Sequence, residues 1–223
     1  MIDHYCERID AGILAEPINA FTNISFLIAF FCLLPLSKAR FQYLAAGERI
    51  ILIALLGLLL AIGFGSTAFH TLANRWSLMA DVIPITLFQL VFLGGYLRYV
   101  ARVSLVFVAI ALIGFLLAGA MLGRLSLGIN GSESYLAPLL FITAMGIYHK
   151  VTAQNGSWML LLTTGVFVCS LGFRTIDNAI CSVWPIGTHF LWHLINGVVL
   201  FLCTRVFLMS AGEKDYSFEA KLA

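Results

Sequence analysis

Along this chain the apolar positions do not alternate with polar ones; they run in long blocks. Seven such blocks cover residues 17–36, 49–69, 77–99, 103–122, 135–151, 158–173 and 185–209. Polar connectors separate them at 38–48, 71–76, 100–102, 123–134, 152–157 and 174–184. About 20 mostly apolar residues in a helix cross roughly 30 Å of hydrocarbon. The pattern therefore predicts an all-α integral membrane protein, a bundle of seven transmembrane helices. The blocks at 135–151 and 158–173 are the shortest, which leaves six spans as the alternative count. No repeat, low-complexity stretch or linker divides the chain. The expected organisation is an acidic segment at 1–16, a helical bundle at 17–209 and a tail at 210–223.

Composition agrees: 61% of the 223 residues are hydrophobic and 11% are charged. Soluble domains are about half apolar and about one quarter charged. A net charge of +2 spread along the chain forms no basic patch, so nucleic acid is excluded as a partner. The first residues, Met1 to Arg8, lack a basic n-region followed by an apolar core. The first helix is therefore expected to direct insertion itself.

Basic residues orient the bundle. Lys38, Arg40, Arg49, Arg98, Arg102, Lys150, Arg205, Lys214 and Lys221 fall on one side; Arg8, Arg75, Arg124 and Arg174 fall on the other. The expected orientation has the N-terminus outside and the C-terminus cytoplasmic. Asp3, Glu7, Asp10 and Glu16 then lie on the outer face.

Ionisable groups within spans are costly and mark function by default. His70 ends the second span, with Ser66 one turn earlier, and Asp81 opens the third. His189 and His193 open the seventh. An even-numbered helix ends on the face where odd-numbered helices begin, so parity brings all five to one side. The H-x3-H spacing of His189 and His193 puts two imidazoles on one helical face, where they can share one zinc ion. His70 is the natural third ligand, and three ligands leave one position open, as in catalytic sites. Water there would ionise near pH 7, Asp81 could relay its proton, and Ser66 could donate to an oxyanion. Each residue also has a plainer reading. A lone histidine at a helix end is commonly interfacial, and Ser66 within Gly63-Phe64-Gly65-Ser66 is as well suited to close helix packing. His149 reads as an interfacial residue on the opposite face, and His4 as a bystander. Asp177 reads as structural, paired with Arg174. Asn19 and Asn23 read as interhelical hydrogen-bonding groups, and Trp76, Trp158 and Trp184 as an interfacial belt.

Taken together, Ser66-x3-His70, Asp81 and His189-x3-His193 resemble the alkaline ceramidases, whose superfamily includes the progestin and adipoQ receptors. The resemblance extends over nearly the whole chain. It includes Cys6-Glu7, Glu16-Pro17-x-Asn19-x-x-Thr22-Asn23, Asp177-x3-Cys181 and Gly187-Thr188-His189-Phe190-Leu191-Trp192-His193. The stretch Asp3-x-Tyr5-Cys6-Glu7-Arg8 is more similar to bacterial ceramidase-like members.

The resemblance implies a seven-helix bundle with zinc on His70, His189 and His193. It also implies hydrolysis of a lipid amide to a fatty acid and a sphingoid base or related amine. Attack would come from zinc-bound hydroxide, with Asp81 and Ser66 assisting. It further implies a calcium site among Asp3, Glu7, Asp10 and Glu16, the alternative being a solvated acidic tail. A disulfide between Cys6 and Cys181 is implied as well, while Cys32, Cys169 and Cys203 pack as small apolar residues. The implied setting is a bacterial inner membrane with the site facing the periplasm, a membrane lipid as substrate and no obligate protein partner. Two other functions compete: a non-catalytic zinc-containing heptahelical receptor, and a serine hydrolase using Ser66 with His193 and an aspartate. A transporter would need an inverted repeat, which the sequence does not show.

Overall fold

The computed structural model describes residues 2–152 and 156–212. Most of the expected tail, with Lys214 and Lys221, lies outside the described residues. Among those described all regular secondary structure is helical, with no strand. Seven principal helices follow in order: α1 Pro17–Phe41, α2 Ala46–Leu72, α3 Arg75–Val100, α4 Leu105–Leu122, α5 Leu136–Val151, α6 Met159–Ile176 and α7 His189–Ser210. Six of them are long and apolar enough to cross a membrane. The exception is α5, whose 16 residues extend only about 24 Å. The chain is thus a multi-pass helical membrane protein by length and composition.

Local chemistry sets the helix ends. Pro17 opens α1 at a position whose missing N–H costs nothing. Glu48 accepts the Ala45 N–H to start α2. Asn74 accepts the Ser77 N–H, and the Ser77 hydroxyl accepts the Asn74 N–H, a reciprocal cap that starts α3. The last helix begins at His189, four residues later than the apolar block suggests, because residues 184–187 form a turn closed by the Gly187 N–H on the Trp184 carbonyl.

Apolar residues face outward as well as inward, as lipid requires. Ile53, Phe64, Phe107, Ile113, Leu140 and Leu162 are all exposed. α4 is the most peripheral of the candidate spans and α7 the most enclosed. α7 packs against α1, α2, α3 and α6. Where helices cross tightly, glycine is required. A Cβ on Gly65 of α2 would stand 2.0 Å from the Ala80 carbonyl oxygen of α3. A Cβ on Gly197 of α7 would stand 2.8 Å from the Ser25 side chain of α1.

Candidate metal centre

The close approach at Gly65 brings the end of α2 against the start of α3, and so places Ser66 and His70 on the flank of Asp81. α7 enters from the same side with His189 and His193 in its first two turns. The ring centroids of His70 and His193 are 4.7 Å apart, those of His189 and His193 4.5 Å, and those of His70 and His189 5.3 Å. Each histidine offers one nitrogen, and these atoms all lie within 4.8 Å of one another. No other such group of three His, Cys, Asp or Glu side chains occurs among the described residues. All three histidines are buried.

The surrounding hydrogen bonds fix which nitrogens face inward. His70 Nδ1 lies 2.5 Å from Glu16 Oε2, a carboxylate acceptor, so it carries the proton and Nε2 is left with its lone pair. His193 Nδ1 lies 3.1 Å from the Thr22 hydroxyl. That hydroxyl donates to the Ile18 carbonyl at 2.9 Å, so toward His193 it acts as acceptor and again frees Nε2. Ser25 donates to the His193 carbonyl at 2.8 Å and holds this turn of α7. Among the described residues, His70 Nε2, His189 Nδ1 and Asp81 Oδ1 are buried with no hydrogen-bond partner. Buried orphans of this kind are rare. Three converging imidazoles, two of them with buried unpartnered nitrogens, suit a borderline-soft cation such as zinc.

The start of α7 is held by a residue outside it. Asp177 is fully buried, and its Oδ1 accepts the Thr188 and His189 N–H groups at 2.6 and 2.9 Å. Its Oδ2 accepts the Cys6 N–H at 3.0 Å. Asp177 therefore caps the helix that carries two of the histidines, while Thr188, the formal cap, donates its hydroxyl to the Phe173 carbonyl. The expected Asp177–Arg174 pair does not form. Arg174 donates instead to the Asn130 carbonyl and the Ser132 hydroxyl. Gly187 sits at φ +62° directly over Asp177, with its Cβ position 2.1 Å from Oδ1, so neither its conformation nor its space admits a side chain.

Cys6 and Cys181 are joined in a disulfide, which ties the N-terminal segment to the loop before α7. The adjacent Tyr5 stacks on His189, ring centroids 3.5 Å apart and planes 13° from parallel. Burial pushes the Tyr5 phenol up, so it stays a neutral donor. Cys32 and Cys169 are exposed on the apolar surface and Cys203 is buried.

The four acidic residues do not share a centre. Glu7 accepts the Ile18 and Asn19 N–H groups at 2.7 and 2.8 Å and so caps α1. Burial pushes its carboxyl up, and these two bonds work against that. Glu16 pairs with the Arg8 guanidinium through Oε1 and with His70 through Oε2. Burial would push Glu16 up, but His70, Arg8 and Asn19 outweigh it and hold the carboxyl below its ordinary range. Asp10 accepts the Gly12 N–H in its own exposed turn, and Asp3 is exposed. His149 also departs from the interfacial reading: it is fully buried, 3.0 Å from the Tyr96 hydroxyl. His4 is exposed beside Phe69.

A cavity opens beside the triad, and the empty space in it and in front of it, open solvent included, is about 910 Å³. Tyr5, Ser66, Asp81, His189 and His193 form its polar end. Most of the remaining wall is aromatic or aliphatic, and the lining continues along α3 to Leu93 and along α7 to Cys203. By helical rise those residues lie about 15–18 Å beyond Asp81 and His193. Spacing and parity pointed to five of the site residues. They gave no sign of Tyr5, of Thr22 behind His193, or of Arg8 and Glu16 behind His70; a carboxylate behind a ligand histidine is the one general signal that would have found Glu16. No family model, curated protein or solved structure matches the chain.

Proposed function

We propose that this protein is a zinc-dependent lipid amide hydrolase of the membrane, ceramidase-like in its chemistry. The observation that carries the reading is the buried three-histidine cluster at the polar end of an apolar cavity, with an unpartnered carboxylate oxygen beside it. The resemblance of Ser66-x3-His70, Asp81 and His189-x3-His193 to the alkaline ceramidases supports the same class.

His70, His189 and His193 would hold the ion. When bound, zinc supplies Lewis-acid activation of water and of a substrate carbonyl. The chain's own groups do the rest. Glu16 and Thr22 fix the ring orientation of His70 and His193. Asp81 takes a proton from water as the water oxygen bonds to the amide carbonyl carbon, then delivers that proton to the leaving nitrogen, so the C–N bond breaks to give a carboxylic acid and an amine. Ser66, beside Asp81 on the cavity wall, donates to oxygen as negative charge develops there. The apolar wall receives an acyl chain. A run of about 15–18 Å matches roughly 12–14 methylenes at about 1.25 Å each, from a 1.5 Å bond and a tetrahedral angle.

The positive-inside count puts the N-terminus and this site outside and the C-terminus in the cytoplasm, which in a bacterium means a periplasm-facing centre in the inner membrane. The test is fatty-acid release from ceramide and other N-acyl lipids by zinc-loaded protein in lipid bilayers, comparing wild type with Asp81→Asn. Release by wild type, lost in a variant that still binds zinc, supports the amidase. Zinc-loaded wild type that cleaves no N-acyl lipid would favour the non-catalytic receptor.

A further inference from the structure

We propose that the Arg8 guanidinium is a built-in cation that stands where the resemblance implies calcium, and that it positions His70 through Glu16. This rests on the zinc reading above.

Calcium takes six to eight oxygens at roughly 2.3–2.6 Å. The carboxylate oxygens that reach the buried part of the N-terminal segment, those of Glu7 and Glu16, are already committed, while Asp3 and Asp10 are exposed. Both Glu7 oxygens accept α1 N–H groups, one Glu16 oxygen faces Arg8, and the other accepts from His70 Nδ1 and Asn19 Nδ2. Beside them Asn19 Oδ1, and one turn further on Asn23 Oδ1, are buried without a hydrogen-bond partner, and both are amide oxygens without charge. Arg8 itself is buried, 4% exposed, and Glu16 is 2% exposed. A divalent ion among these oxygens would sit against a guanidinium, with the Glu16 charge already matched.

The guanidinium fork does what a bound ion would do. Its Nε bonds Glu16 Oε1, its Nη2 donates to the His70 carbonyl at 2.9 Å, and its Nη1 reaches the Asp10 carbonyl at 3.5 Å. It thus grips His70 twice, through its own backbone oxygen and through the carboxylate that accepts its ring N–H. Removing a partner that orients a ligand histidine typically weakens metal binding by about 10–100-fold. Lysine would restore the charge but not the planar fork. Arg8 is therefore a positioning residue.

The experiment measures zinc affinity by chelator competition on the full chain in detergent, for wild type, Arg8→Ala and Arg8→Lys. Equilibrium dialysis against calcium-45 is run beside it. The expected result is a loss of about 10–100-fold in zinc affinity for Arg8→Ala, partial recovery in Arg8→Lys, and no saturable calcium binding by wild type at millimolar calcium. Saturable calcium binding by wild type that also tightens zinc would overturn the inference, and that measurement stands even should Arg8→Ala misfold. Wild type that binds zinc while Arg8→Ala binds it equally tightly defeats this inference alone. Wild type that binds no zinc defeats the proposed function and this inference with it.

Discussion

Replacing Asp177 by alanine removes the acceptor for three backbone N–H groups at once, those of Cys6, Thr188 and His189. The residue is fully buried, so water does not simply take its place. Each buried donor left unpaired costs about 1–3 kcal/mol. Partial relaxation of the surrounding backbone keeps the total nearer about 3–5 kcal/mol, the upper end for single substitutions. For a chain of this length that corresponds to a fall of about 6–20 °C in Tm. Asp177→Asn retains an oxygen for Thr188 and His189 but turns an amide toward the Cys6 N–H, so its cost is nearer about 1–2 kcal/mol. The assay is thermal unfolding in detergent, with zinc affinity measured in parallel because the same bonds seat His189. A Tm for Asp177→Ala within about 2 °C of wild type, or an Asn variant less stable than the Ala variant, would refute the reasoning.

Other outcomes follow from the same geometry. Gly65→Ala drives a Cβ into the Ala80 carbonyl, so it should cost about 1–3 kcal/mol and lower zinc affinity as α2 and α3 separate; unfolding and chelator competition check both. Reducing the Cys6–Cys181 disulfide, or replacing both cysteines by serine, should cost about 2–4 kcal/mol, read as a lower Tm with reductant than without. Glu16 is held below the ordinary carboxyl value near 4.5, so its contribution is fully present above that value and is lost as pH falls through the lower native one. Tm should therefore decline on acidification below about pH 4.5, and less steeply in Glu16→Gln. Leu93→Trp or Cys203→Trp fills the far end of the cavity and should shift hydrolysis toward shorter acyl chains, measured across a series of N-acyl lipids.

The helices and the three candidate ligand positions were legible because two simple patterns carry them. Apolar blocks of membrane-crossing length mark the helices, and helix parity plus H-x3-H spacing bring His70, His189 and His193 to one end, where the rings do converge. What escaped is long-range and depends on exact partners. Asp177 is three residues from Arg174, the spacing of a helical pair, yet its carboxylate turns toward backbone N–H groups 11 and 12 residues ahead and one 171 residues behind. Arg8 reads in sequence as one basic residue of the outer side within the Tyr5-Cys6-Glu7-Arg8 stretch, because nothing local shows that its guanidinium enters the bundle to meet Glu16 and the His70 carbonyl. His149 looked interfacial from its place near a helix end, and tertiary packing against Tyr96 buries it. Spacing locates side chains along one helix; it does not report which buried acceptor a side chain satisfies across the fold.

Metal content by mass spectrometry, with fatty-acid release from ceramide measured on the same preparations of wild type and His193→Ala, tests the central claim most directly. The account predicts about one zinc ion per wild-type chain, as expected for a single three-histidine site, and loss of both zinc and hydrolysis in the variant. Wild-type protein that carries no zinc, or a His193→Ala variant that hydrolyses as fast as wild type, would contradict it.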